Sequence, residues 1–322
     1  MYKCIWDGRM SGREMRAAYC GALLKLGQEK TEIMTVDVDC MHSMGTKPFA
    51  DAFPQRYINC GIQEANAVGI AAGLSLEGMI PFFNTFGVFA TRRAYDQIFL
   101  SCGYAGLNVK LVGWDAGITA ASNGGTHMPF EDVGIMRNIP FMSILEPADP
   151  VAMEQLVAEA AGHYGNVYIR SARKRVPDIY ESGSSFQIGG SAVLCEGTDV
   201  GIIASGIMVP EALKAAGMLR KEGIVARVVD MYSIKPLDEQ CLLESAELTK
   251  ALVVAQNHNY IGGLYSAAAE FTAQNYPVPI ERVCVEDRFG EVGSEEYLKE
   301  RFSLHAVEIV KKAKAAMKRK RK

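Results

Sequence analysis

The sequence predicts an α/β protein of two three-layer domains, each a parallel sheet packed between helices. Three observations predict it. Short apolar runs rich in Val, Ile and Phe alternate with segments of helical periodicity, the rhythm of strand–helix–strand crossovers. A Pro/Gly/Ser-rich run, 176–191 (VPDIYESGSSFQIGGS), interrupts that rhythm, which then starts again. The length, 322 residues, is enough for two separate cores. The expected division is a first domain over 1–178, a linker over 179–191 and a second domain over 192–322.

Composition narrows the class. Apolar residues make up 49% of the chain and the formal charge is −3, an ordinary balance for a soluble protein. No apolar run is long enough to span a membrane, and MYKCIWDGRMSGREM does not read as a signal peptide, so a cytoplasmic location is expected. The eight cysteines are scattered without a CxxC pair, which favours reduced thiols over zinc or a disulfide framework. The basic tail KKAKAAMKRKRK, from Lys311 to Lys322, is expected to be a solvated, fraying helix end; nucleic acid or an acidic partner is the lesser alternative.

In chain order, 10–30 has a helical apolar face through Met15, Ala18, Leu23, Leu24 and Leu26, and Glu32–Val38 reads as a buried strand. The polar loop after it starts at Asp37, and loops at the carboxyl ends of such strands are where ligands sit. Asp37 and Asp39 could equally end the strand and cap the next turn. The run Ile62–Leu76 reads as a helix in which Glu64 is the lone charge. It is either a helix-start glutamate held by the dipole or a buried carboxylate that needs a partner. Gly69 and Gly73, four apart, leave bare patches on one face where another backbone can approach. Ile80–Phe83 is a short strand, followed by Phe86 and Phe89, three apart beside a glycine so that both rings can face one space, although Phe pairs at this spacing are usually core. Asn108–Trp114 is a strand that opens into a long Gly-bearing loop, Asp115–Phe130, holding Asn123 and His127; loops of that length tend to be functional or disordered. Phe141–Leu145 is a strand. Asp149 and Pro150 supply the N-cap and first position of a helix reaching about Gly162. Val167–Arg170 closes the domain, with Arg170 and Arg173 in YIRSARKR.

The second unit repeats the pattern: strands Val200–Ala204, Ala226–Val229, Ala251–Ala255 and Arg282–Val285, with helices Val209–Glu222, Leu237–Leu248 and Leu264–Asn275. No GxGxxG or P-loop opens any of these helices.

Five segments in the same order carry a resemblance: GIQEANAVGIAAGLSLEGMIPFFNTFGVFATRRAYDQI, GGTHMPFED, LEPADP, YIRSARKRVP and RVVDMYSIKPLD. Together they resemble the C-terminal half of transketolases, as encoded in two-chain versions of the enzyme, over about residues 10 to 310. The resemblance implies a thiamine diphosphate pyrimidine-binding domain followed by a transketolase C-terminal domain, and transfer of a two-carbon ketol unit from a ketose (or its phosphate) to an aldose. It places Glu64 against ring nitrogen N1′ of thiamine diphosphate, Phe86 and Phe89 around the pyrimidine, and Asp37 at the subunit and cofactor interface. It points His127 at the reacting centre and sets Arg173, with Arg170 nearby, to grip a phosphate. His258, in QNHNYIGG, falls at a contact between domains, after Gln256 and Asn257 where acidic residues are usual.

Two positions depart from the pattern. Asp115 stands where a histidine is usual and Asn123 where an aspartate is usual, both at positions that read sugar hydroxyls and phosphate. An anion at Asp115 would repel a phosphate. No Gly-Asp-Gly occurs in the sequence, so the diphosphate and its Mg²⁺ (or Ca²⁺) are expected on a partner chain, the N-terminal half of the enzyme. An α₂β₂ assembly with this chain as the central dimer follows, acting on a sugar or sugar phosphate and needing neither nucleic acid nor membrane. Three alternatives stand beside this reading: the β subunit of a 2-oxo acid dehydrogenase first component, a deoxyxylulose phosphate synthase-like enzyme, or a non-catalytic assembly subunit.

Overall fold

The computed structural model describes residues 2–320 and contains two sheets. The first is built from β1 (Ile33–Asp37), β2 (Tyr57–Asn59), β3 (Ile80–Phe86), β4 (Lys110–Trp114), β5 (Ser143–Leu145) and β6 (Val167–Ser171). The second is built from β7 (Ala192–Cys195), β8 (Val200–Ala204), β9 (Ala226–Asp230), β11 (Leu252–Asn259) and β12 (Ile280–Val285). A remaining strand, β10 (Ser233–Lys235), leaves the second unit and pairs antiparallel with β5, giving the first sheet the order β10-β5-β6-β4-β3-β1-β2. The second runs β12-β11-β8-β9-β7, parallel except where β7 meets β9. Each sheet is therefore parallel with one antiparallel edge.

Both sheets are buried on both faces, as parallel sheets must be. Phe82 packs toward helices Met15–Glu29 and Pro150–Gly162, while its neighbour Phe83 packs with Ala67, Val68 and Ala71 of helix Glu64–Leu76. Ile202 and Ile203 split in the same way in the second sheet. This alternation, period two, is what makes three layers.

Local sequence explains several elements. The Asp149 side chain accepts from Ala152 N at 2.8 Å with Pro150 following, a cap worth about 1 kcal/mol. Its other oxygen accepts from Ile179 N and Tyr180 N, so the start of the expected linker is pinned into the core. Bridges from Cys4 to Tyr180 and from Met10 to Pro177 hold it further.

Two expectations are corrected. Phe141 is not in a strand: it takes a left-handed turn (φ 59°) and is 93% exposed, and β5 begins at Ser143. The basic tail does not fray over its described part. Helix Ala306–Lys318 buries Ile309, Val310, Ala313 and Ala316, and Lys314 pairs with Glu222 and Arg319 with Glu281. Its amphipathic face docks on the sheet, and the half-exposed ion pairs add little. Lys322 and its neighbour lie outside the described residues.

Candidate functional site

The parallel register brings the carboxyl ends of the central strands level. Asp37 lies opposite Asn59 and Asn84, Phe86 opposite Trp114, and Trp114 opposite Ser171. The chain order reverses direction between β1 and β3. In open α/β sheets the crevice beyond such a switch point is where ligands bind.

Glu64 opens the helix Glu64–Leu76 and its side chain is only 3% exposed. The helix dipole favours a carboxylate there, but burial of a charge needs a partner. That partner is Arg93, whose Nη1 donates to Glu64 Oε1 at 2.8 Å. The Arg93 guanidinium carbon also lies 3.9 Å from the centre of the Phe89 ring, a cation–π contact. Sequence reasoning treated Glu64 as a lone carboxylate and missed Arg93. The signal available was the cation pair Arg92-Arg93 set directly after an aromatic, apolar run.

From Phe89 the site continues without a gap. Phe86, Phe89 and His127 form a three-way edge-to-face cluster, with ring centres 5.9, 5.5 and 5.2 Å apart. The His127 Nδ1 is 2.9 Å from Thr126 Oγ1. Beyond Phe86 the Arg173 guanidinium carbon is 4.9 Å from the ring centre. Arg173 in turn meets Asp115: Nε donates to Oδ1 at 2.8 Å, and Nη2 lies 2.7 Å from Oδ2 at an angle too oblique for a second good hydrogen bond. Asp115 sits at the end of β4 with φ 60°, a conformation aspartate tolerates better than most residues. One row of contacts thus runs Glu64–Arg93–Phe89–His127–Phe86–Arg173–Asp115.

Asp37 is fully buried at the end of β1. Burial raises its carboxyl to about 6, opposed by Thr46, Asn84 and Tyr57 around it. Thr46 Oγ1 donates to Oδ2, while Oδ1, Tyr57 OH and Thr85 Oγ1 have no well-formed hydrogen bond. Buried polar atoms without partners call for an explanation, and a missing neighbour is one.

Two residues grouped with the substrate stand outside this row of contacts. Arg170 is completely buried, bonded through Nε to Asp132 Oδ2 (2.8 Å), through Nη1 to Glu146, and through Nη2 to the Asn257 carbonyl (2.7 Å). It is a strut between the two units, with no surface left to offer a substrate. Asn123 is exposed and takes no part in the row of contacts.

The loop carrying His127 is held by the second unit. A Cβ on Gly117 (φ 50°) would fall 2.2 Å from Asn257 Oδ1, and one on Gly125 2.1 Å from the Gly290 carbonyl. The Asn257 amide accepts from Ile118 N and donates to the Ala116 carbonyl, and Gln256 donates to Glu146 while accepting from Leu264 N. Carboxylates could not both give and accept here, which explains the amides at 256 and 257. His258 is buried beside Asp132, its Nε2 3.6 Å from Oδ1, at this same contact.

The outward face of helix Glu64–Leu76 is bare and apolar. Gly69 and Gly73 are exposed with open space over them, flanked by Ile62 and Leu76, each 71% exposed.

Comparison with known proteins gives a consistent picture. The family described as "Transketolase, pyrimidine binding domain" matches residues 11–178, and "Transketolase, C-terminal domain" matches 189–309. The chain is 48% identical over 306 residues to the 6-deoxy-6-sulfo-D-fructose transketolase subunit SqwH of Clostridium sp. (strain MSTE9), covering 95% of each. It is 35% identical to an apulose-4-phosphate transketolase subunit of Phocaeicola vulgatus, covering 84% of this chain and 87% of that one. A solved structure described as a split gene transketolase, inactive beta4 tetramer, superposes with a TM-score of 0.89 at 44% identity, covering 97% of this chain and all of that one. With both domains matched along most of its length, the chain belongs to the transketolase family.

Proposed function

We propose that this chain is the pyrimidine-binding subunit of a thiamine diphosphate-dependent transketolase that moves a two-carbon ketol unit from a ketose to an aldose. The observation that carries the reading is the grouping, at the carboxyl ends of the central strands, of a buried carboxylate at a helix start, an aromatic pair and a loop histidine. Both relatives named above are transketolase subunits, which favours this reading over a 2-oxo acid dehydrogenase or synthase.

The residues fit the aminopyrimidine end of the cofactor. Glu64 offers a buried carboxyl, Phe86 and Phe89 offer ring faces, and Asp37 has a buried oxygen with no well-formed hydrogen bond. The bound cofactor would supply a nucleophilic carbon and a sink for its electron pair. Glu64 would hold a proton at Oε1 against the ring nitrogen, which requires Arg93 to withdraw from that oxygen. His127 would face the sugar from the loop, oriented by Thr126. Among the described residues no group of three or more His, Cys, Asp and Glu could hold a metal. The diphosphate and Mg²⁺ are assigned to a partner chain, in an α₂β₂ assembly whose contacts would cover the glycine face of helix Glu64–Leu76.

Calorimetry tests this. Thiamine diphosphate and Mg²⁺ are titrated into the chain alone and into its mixture with a partner carrying the Gly-Asp-Gly half. Tight binding only in the mixture supports the reading. Full activity of the isolated chain, or a complex that binds no cofactor, overturns it. The name of the clostridial relative puts sulfonated ketoses beside phosphorylated ones among the donors to screen.

A further inference from the structure

The Asp115–Arg173 pair carries an inference that rests on the ketol-transfer reading and deepens it. Arg173 lies in the row of contacts with Phe86 and His127, and its side chain is 17% exposed, enough to meet a ligand from solvent. Asp115 is 1% exposed and makes its ion pair to Arg173 and no well-formed second hydrogen bond at Oδ2. A buried carboxylate this close cancels most of the guanidinium charge as felt from the crevice. It does not cancel the donors. With Nε engaged by Asp115, the terminal nitrogens of Arg173 still have N–H groups to present.

We infer that Asp115, by holding Arg173, is a specificity-determining residue that sets this site for a singly charged oxyanion at the far end of the sugar. A sulfonate carries one charge on three oxygens and can take the spare N–H donors. A phosphate monoester near neutral pH is close to doubly charged. Its second charge would face the Asp115 carboxylate, a few ångströms behind Arg173. Of the other cations nearby, Arg92 lies 3.0 Å from Glu131, and Arg93 stands at the other end of the row, separated from Arg173 by Phe89, His127 and Phe86. No bond forms or breaks in this step; the filter is electrostatic.

The test uses the complex of this chain with its partner. Calorimetric affinities, and KM where turnover is measurable, are compared for one six-carbon ketose bearing either a phosphate or a sulfonate at C6. The variant is Asp115→Asn, because asparagine keeps the size and adopts the left-handed backbone found here. The wild-type complex should prefer the sulfonate. Asp115→Asn should shift the preference toward the phosphate by about tenfold or more, through affinity and KM. Arg173→Met should weaken both. A wild-type preference for the phosphate, or a ratio unmoved by Asp115→Asn in a variant that melts like the wild type, overturns the inference. The binding arm needs no turnover. A complex that ranks the two ligands as stated but never transfers a ketol unit would sink the functional reading and leave the charge filter standing.

Discussion

Arg93 and Glu64 are joined by a single hydrogen-bonded ion pair, Nη1 to Oε1 at 2.8 Å, with the Arg93 guanidinium lying over Phe89. One side chain therefore holds both a buried carboxylate and one face of an aromatic ring. Any planar ligand that uses the two together must displace it.

Replacing Glu64 separates folding from function. Glu64→Gln and Glu64→Ala should both fold, judged by circular dichroism, because the residue starts its helix and its partner is half-exposed. Turnover with the partner chain should drop by roughly 100-fold or more, the usual scale for losing a proton-holding group. Wild-type rates in either variant would remove Glu64 from its assigned role.

Arg93→Met should weaken the isolated chain. It leaves Glu64 buried without a cation, though the exposed side of the pair lets water in, so a loss of about 1–2 kcal/mol is expected in urea unfolding. Loss of the cofactor's competitor should at the same time leave thiamine diphosphate affinity in the assembled complex equal or tighter. Weaker binding would make Arg93 a direct ligand and not an occupant.

Asp37 gives a pH signature. Its carboxyl is raised to about 6 by burial, above the unfolded value near 4. The native state thus binds the proton more tightly. The associated stability is full below about pH 4 and is lost as pH rises through about 6. Asp37→Asn removes this dependence. Its stability relative to wild type should rise by about 2 kcal/mol between pH 4.5 and pH 8. A difference that stays flat with pH would mean that Asp37 is ionised at no cost in the fold.

Arg170 and Arg173 should separate cleanly. Arg170→Met strands Asp132 and Glu146 as buried carboxylates and should cost about 3–5 kcal/mol. Arg173→Met should cost less stability and appear mainly in KM. Equal kinetic effects of the two would contradict the placement of Arg170 as an interior strut.

Gly69 probes the open helix face. Gly69→Ala should stabilise the isolated chain by about 0.5–1 kcal/mol, since helix interiors favour alanine and its Cβ meets nothing. Gly69→Phe should leave the fold intact and abolish assembly in sedimentation velocity. Unchanged assembly would take this face out of the interface.

The sequence by itself determined what short-range chemistry can determine. The Asp149-Pro150 helix start, the period-two strands and the apolar helix opening at Glu64 each depend on neighbours a few residues away. The ordered segments, from the Glu64 run to KPLD, were enough to point to the family. The tertiary structure decided the pairings. Phe141 has strand-like composition, but the turn after Pro140 puts it in solvent. The lysines of the tail look like a solvated run, yet Ile309, Val310 and Ala313 dock that helix. Arg170 and Arg173 stand three apart in one segment with the same chemistry. One points into the contact between the units, and the other leaves the strand end for the crevice. Arg93 reaches Glu64 across 29 residues and Arg173 reaches Asp115 across 58, and no spacing rule encodes either meeting. The charge that a buried site presents depends on which side chains the fold brings within about 3 Å of each other, because at that distance, out of water, a partner outweighs every local preference.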